Sequence, residues 1–375
     1  MRELVDGSTA IVRGALEAGC DFFAGYPITP ASPILMAMMD ELPRLGGVAV
    51  QGEDEIASIG MCIGAAMAGA RALTATSGPG ISLYSENLGL AIMGEVPLVV
   101  VDVQRLGPAT GGATTVGQGD VQFVRWGTSG GYPVIVLAPS SIPECYRLTR
   151  RAFELAERFR APVFVLADKE LAMTTATVEL GDAGGLEPPV RRERRPVEPA
   201  AGGPFRPYRY DPPEGVPPLV PIGGAERVRF TGSTHDERAF LTKDAPTVAR
   251  LNEHLRAKIE EHRDELEDVE LDREPGARTL LVAYGVTAGA MREAVRAARA
   301  EGRTVSAATP RTLWPVPETA LGGALEGVER VVVAELNQGQ YRRELERIAG
   351  GREVVGLHRV DGRLVEPRAF LEAMA

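Results

Sequence analysis

Nine residues constrain the fold more than any others. VPLVVVDVQ, residues 96–104, is an almost unbroken β-branched run. A strand that is apolar at alternate positions can leave one face wet, whereas one that is apolar at nearly every position must be covered on both faces. Parallel sheets flanked by helices meet that condition. DFFAGYPI, GGVAVQG, ARALTATSG, YPVIVLAP and APVFVLAD read as further strands. Helical patterns fall between them: GSTAIVRGALEAGC, with apolar residues at 11, 12, 15 and 16, then 32–42, the run that starts at Glu55, 82–93 and 142–159. Strand and helix alternating this often predict an α/β fold built on a doubly wound sheet over residues 1–184.

At 375 residues the chain exceeds the size at which one core keeps growing, so two domains are expected. Between Pro196 and Gly224, 14 of 29 residues are Pro or Gly, too many for a packed element. Residues 185–276 are therefore read as a linker arm laid across a surface, followed by the charged helix APTVARLNEHLRAKIEEHRDELEDVEL. Charge around most of that helix suits bridging, or lying on a partner, better than filling a core. The α/β rhythm resumes with RTLLVAYG, TAGAMREAVRAARAEG, RTVSAATP and RVVVAEL, which predicts a second, smaller domain over 277–375.

A net charge of −10 argues against a nucleic-acid surface. The start, MRELVDGSTA, lacks the long apolar core of a signal peptide, and no apolar run reaches spanning length. A cytoplasmic protein with no membrane partner is expected. Cys20, Cys62 and Cys145 are far apart and match no metal spacing, and an iron–sulfur cluster normally takes four thiolates. His254 and His262 lie in the charged helical run and are read as solvated. No metal site is expected in this chain.

In open α/β sheets function concentrates on loops leaving the carboxyl ends of strands. Three such loops stand out: GYPITPAS (25–32), TSGPGIS (76–82) and VQRLGPATGGATTVGQGD (103–120). In the first, Pro27 and Pro30 fix φ on either side of Thr29, and the loop either presents a hydroxyl and nearby N–H groups, with Tyr26 beside them, or is a plain turn with Thr29 as a helix cap. Ser77 and Gly78 in SGPG could cradle an anion with backbone N–H groups, although no P-loop lysine accompanies them. Arg105 either pairs with a carboxylate or is an ordinary surface cation. In QGEDEIASIGMCIGAAMAGA, residues 51–70, Glu53, Asp54 and Glu55 precede a run of small and apolar residues. These acids either complement the helix dipole, or one of them is a desolvated carboxyl that holds a proton at neutral pH.

The segments FFAGYPITPAS, QGEDEIASIG, ATSGPGISL, VVVDVQRLGPATG, PPEGVPPLVPIGG, TGSTHDER and VVAELNQGQ occur in the order seen in alpha subunits of 2-oxoacid:ferredoxin oxidoreductases. The chain resembles that family over nearly its whole length, and the QGEDEIASIG and THDER segments look most like the 2-oxoglutarate branch. The resemblance implies a thiamine diphosphate enzyme divided between chains. This chain would supply the pyrimidine-binding domain and a transketolase-C-like domain. A beta subunit would carry the diphosphate and Mg²⁺ site and an iron–sulfur cluster. A gamma domain often completes the coenzyme A site, and here it is expected on a separate chain or not at all.

By the same resemblance Glu55 matches the catalytic glutamate, which hydrogen-bonds the cofactor's pyrimidine nitrogen and works best where burial favours its proton-sharing form. Tyr26, Pro27, Ser77 and Gly78 are expected beside the cofactor. Thr29 and Arg105 fall where related enzymes hold the 2-oxo-carboxylate, for which a hydroxyl donor and a cation are suited. The activity implied is oxidative decarboxylation of 2-oxoglutarate with coenzyme A to succinyl-CoA and CO₂, with electrons passing to ferredoxin. Two rivals are the same chemistry on pyruvate or branched-chain 2-oxo acids, and a non-catalytic α/β assembly subunit. A nicotinamide dehydrogenase is disfavoured because no GxGxxG follows the first strand.

Overall fold

The structure is a computed structural model that describes residues 2–180, 205–224 and 226–374. The part of the expected arm before Phe205 lies outside the described residues. Those described form fourteen strands: β1 (Glu3–Asp6), β2 (Phe22–Gly25), β3 (Val48–Gln51), β4 (Ala72–Thr76), β5 (Leu98–Gln104), β6 (Ile135–Leu137), β7 (Pro162–Asp168), β8 (Thr175–Val178), β9 (Val269–Asp272), β10 (Thr279–Ala283), β11 (Ser306–Pro310), β12 (Thr312–Trp314), β13 (Arg330–Glu335) and β14 (Glu353–His358).

Seven of them make one sheet in the order β12-β6-β7-β5-β4-β2-β3, parallel throughout except where β12 runs antiparallel to β6. Five make a second sheet, β14-β13-β10-β11-β9, with only β9 antiparallel. The chain leaves β2 for β3 at one edge, then returns to lay β4 on the other side of β2. The strand order thus reverses beside β2, and in such sheets ligands bind outside the carboxyl ends of the strands at that reversal.

The β5 run is covered on both faces, as its composition demands. Val99, Val101 and Val103 pack into a core with the helices Gly7–Glu17, Ser32–Arg44 and Ile142–Phe159. Leu98 and Val100 face a second core, which also holds Leu280, Val282, Val331 and Val333 of the other sheet. The two sheets therefore share their middle layer. A third core, built on Leu281, Val332 and Met291, closes the far side of the second sheet.

Helix Ala245–Glu260 departs from its charge pattern. His254 and Lys258 are buried, together with Leu251, Leu255, Ala257 and Ile259. His254 is thus not solvated: its ring stacks on Tyr210 at 3.6 Å, with Nε2 3.0 Å from Glu95 Oε2 and Nδ1 2.7 Å from the Pro213 carbonyl. Lys258 donates to the same Glu95 oxygen at 2.8 Å. The countercharge comes from the first domain, which is why the helix sequence alone does not reveal it. Arg160 holds the described part of the arm by donating to the carbonyls of Pro207, Pro217 and Pro218 at 3.1, 3.2 and 3.0 Å.

Candidate active site

Because β2, β3, β4 and β5 run parallel, their carboxyl ends lie along one edge. The loop with Tyr26, Pro27 and Thr29 leaves β2, the acidic triplet leaves β3, Ser77 and Gly78 leave β4, and Arg105 leaves β5. Topology alone thus gathers the three loops and the acidic helix start.

The three acids separate by environment. Glu53 and Asp54 are exposed, and Glu55 is buried at 7% exposure. Asp54 is the N-cap of helix Glu55–Met67, accepting from the Ala57 N–H at 2.7 Å. The helix-dipole and capping explanation therefore belongs to Asp54. Glu55, one residue on, turns inward, and no donor among the described residues reaches its carboxyl. Its neighbour is Gly80: a Cβ there would overlap Thr76 Oγ1 and come within 3.0 Å of Glu55 Oε1. Only a residue without a side chain lets the turn after β4 close over this carboxyl.

Arg105 is no surface cation. It is 5% exposed, donating from Nη1 to the Thr29 carbonyl at 2.5 Å and from Nη2 to the Thr110 carbonyl at 3.0 Å. Thr29 and Arg105 are therefore direct neighbours, joined through the Thr29 backbone. Beneath Arg105 lies Gly78, at φ 40°, where an added Cβ would sit 3.3 Å from Arg105 Nε. The helix that begins within SGPG is the five-residue Pro79–Leu83, too short to give its N–H groups a sustained dipole. Ser77 is fully buried, whereas Tyr26 and Pro27 stand exposed at the outer lip. Ile56, next to Glu55, and Leu83, at the end of the short helix, are exposed, and the helix behind Glu55 leaves Gly60 and Gly64 open to solvent.

Sequence reasoning missed two carboxyls. Asp102, on β5, is fully buried, and Asp120 Oδ2 is buried beyond Gln118. Burial first, then each other's charge, pushes Asp102 well above the usual carboxylate range, and burial pushes Asp120 up as well. Asp102 was detectable as the one acid in VPLVVVDVQ, since a polar group inside a covered strand needs a partner. Asp120 gave no such signal. Several buried polar atoms at this edge have no hydrogen-bond partner among the described residues: Thr76 Oγ1, Ser77 Oγ, both Asp102 oxygens, Arg105 Nε and Asp120 Oδ2. Such a concentration is unusual in a folded interior and marks a place built to meet something besides itself.

Comparison with known proteins identifies the family. Residues 13–253 match the family described as pyruvate flavodoxin/ferredoxin oxidoreductase, thiamine diphosphate-binding, and residues 277–370 match pyruvate:ferredoxin oxidoreductase core domain II. The chain is 40% identical to the 2-oxoglutarate synthase subunit KorA of Methanothermobacter thermautotrophicus over 98% of its own length and 96% of that protein. Among solved structures it resembles a 2-oxoglutarate:ferredoxin oxidoreductase from Magnetococcus marinus with 2-oxoglutarate, coenzyme A and succinyl-CoA bound. The TM-score is 0.89 and the identity 32%, covering all of this chain but 64% of that one. A split-gene transketolase, at 12% identity and TM-score 0.54 over 98% of this chain and 93% of that one, shares the fold. From fold, site and kinship together, the chain belongs to the pyruvate flavodoxin/ferredoxin oxidoreductase family and carries both its thiamine diphosphate-binding domain and its core domain II.

Proposed function

We propose that this chain is the alpha subunit of a 2-oxoglutarate:ferredoxin oxidoreductase, which with a beta subunit converts 2-oxoglutarate and coenzyme A into succinyl-CoA and CO₂ and passes the electrons to ferredoxin. In this reading residues 1–184 are the pyrimidine-binding domain, 185–276 the arm and charged helix, and 277–375 the transketolase-C-like domain. The kinship to KorA along nearly both full lengths supports the substrate.

Glu55 carries the assignment: it is buried at the strand-order reversal, and no donor of the described chain reaches its carboxyl. An aminopyrimidine ring suits such a group, and the orphaned hydroxyls of Thr76 and Ser77 add polar atoms beside it. Thiamine diphosphate, when bound, supplies a nucleophilic carbon for the keto group and a sink for the electrons left behind by CO₂. Glu55 would share a proton with the pyrimidine nitrogen, with Tyr26, Pro27, Ser77 and Gly78 around the ring. Thr29 and Arg105 would bind and orient the 2-oxo-carboxylate.

The diphosphate and Mg²⁺ site and the iron–sulfur cluster are assigned to the beta subunit. Burial raises the Cys20, Cys62 and Cys145 thiols, which opposes the thiolate a cluster requires. Exposed Ile56, Leu83, Gly60 and Gly64 offer the beta subunit a close approach beside Glu55. Where the complex includes a separate gamma subunit, that subunit would complete the coenzyme A site. No described helix is long and apolar enough to cross a membrane, and three unpaired cysteines suit the reducing cytoplasm.

The test is to purify the chain with its beta subunit, measure thiamine diphosphate binding, and assay ferredoxin reduction with a panel of 2-oxo acids. Fastest turnover is expected with 2-oxoglutarate. Preference for pyruvate or a branched-chain acid would move the substrate, and a complex that neither binds the cofactor nor turns over would leave an assembly role.

A further inference from the structure

Asp102 and Asp120 have no part in the chemistry above, yet they lie against it. Asp102 stands opposite Thr76 in the β4–β5 register, at the strand end that leads into the Gly78 turn. Asp120 occupies the N-cap position of helix Val121–Trp126, but its side chain caps nothing. Its backbone N–H donates to Gln104 Oε1 at 3.2 Å, and Gln104 stands two residues past Asp102 on β5, on the same face of the strand, which holds Asp120 beside Asp102. One charged side chain, Arg105, acts on both carboxyls. Its Nη atoms are committed to the Thr29 and Thr110 carbonyls, and its Nε is buried without a partner among the described residues. A pair of acids, a cation and the Gly78 turn thus form one closed group beneath the expected carboxylate site.

We propose that the buried Asp102–Asp120 pair is a positioning pair for Arg105, setting how strongly its guanidinium attracts the carboxylate of a 2-oxo acid. The inference rests on the reading of Arg105 given above. Two carboxyls this close in a dry site do not both ionise readily, and they titrate as a pair. Burial and mutual repulsion favour a state with one proton between them. With that proton in place the pair and Arg105 roughly cancel. Once it is lost, a doubly charged pair stands behind the cation and repels an incoming carboxylate. The KM for the 2-oxo acid therefore rises with pH, although the substrate's own charge is constant across the range.

The experiment measures KM for 2-oxoglutarate in the alpha–beta complex from pH 6 to 8.5, for the wild type, Asp120→Asn and Asp102→Asn. The wild-type KM should rise about fivefold to tenfold, as one added charge at this range predicts, and each substitution should flatten the rise. Asp120→Ala, which removes the carboxyl contributed by the loop rather than by β5, replaces either variant that fails to assemble. A flat wild-type profile, or a rise that survives substitution, overturns the role while leaving the enzymatic reading intact. A wild-type complex that turns over no 2-oxo acid overturns both.

Discussion

Glu53, Asp54 and Glu55 stand in a row, and the backbone sends each to a different environment. Asp54 caps the helix, Glu53 faces water, and Glu55 is drawn under Gly80 against Thr76. The sequence presents both explanations of an acidic helix start without deciding which residue takes which, because the decision depends on the turn after β4. Replacing Glu55 by Gln keeps the size of the side chain and removes its ability to exchange a proton. Turnover of the complex should fall at least about 100-fold, the usual worth of a positioned acid–base group, with the elution volume of the complex unchanged. Near-wild-type turnover would reject the proposed role. Thr29 and Arg105 were conspicuous in the sequence as a hydroxyl between two prolines and a cation after a strand. That Arg105 grips the Thr29 carbonyl was not, since the contact joins two loops through backbone. Asp120 was hidden for a similar reason: only folding brings it beside Asp102.

At the scale of elements, strands and helices of the first domain were legible because β-branched runs and 3.6-residue periodicity are local. The helix Ala245–Glu260 differs from its charge pattern because its burial is supplied from elsewhere. Glu95, in a left-handed turn at φ 50°, presents its carboxyl to His254 and Lys258. Burial alone would raise this carboxyl, but Lys258, His254 and Arg160 outweigh it and hold Glu95 well below the ordinary carboxylate range. Removing one partner of a buried charge cluster typically costs about 3–5 kcal/mol, so Glu95→Gln should lower the urea midpoint of the purified complex markedly at neutral pH. A depressed acid contributes stability above its unfolded value, near 4.5, and loses it as pH falls through its folded one. The gap between wild type and variant should accordingly narrow as the pH is lowered below about 4.5. A gap that widens in acid would contradict the arrangement.

At the scale of the whole molecule, polar contacts reinforce the shared core between the sheets. Asp168, at the end of β7, accepts from Val286 N at 2.6 Å and Gln118 Nε2 at 3.0 Å, and Gln118 Oε1 in turn accepts from Leu336 N at 3.0 Å. Burial raises the Asp168 carboxyl to about 7. The folded protein therefore binds this proton more tightly than the unfolded chain, and wild-type stability declines as pH climbs from the ordinary carboxylate range toward 7. Asp168→Asn has no such proton to lose. In thermal melts of the complex, its stability relative to wild type should improve by about 1–3 kcal/mol between pH 5 and 7.5, and a difference that moves the other way would refute the account.

β12 carries the last consequence. Three residues of the carboxyl-terminal half, Thr312–Trp314, finish the edge of the amino-terminal sheet by pairing with β6. The halves are therefore not exchangeable modules. A chimera that swaps one half for a relative's must carry this small strand along with the first sheet, or it leaves β6 as a bare margin on which a second molecule can add.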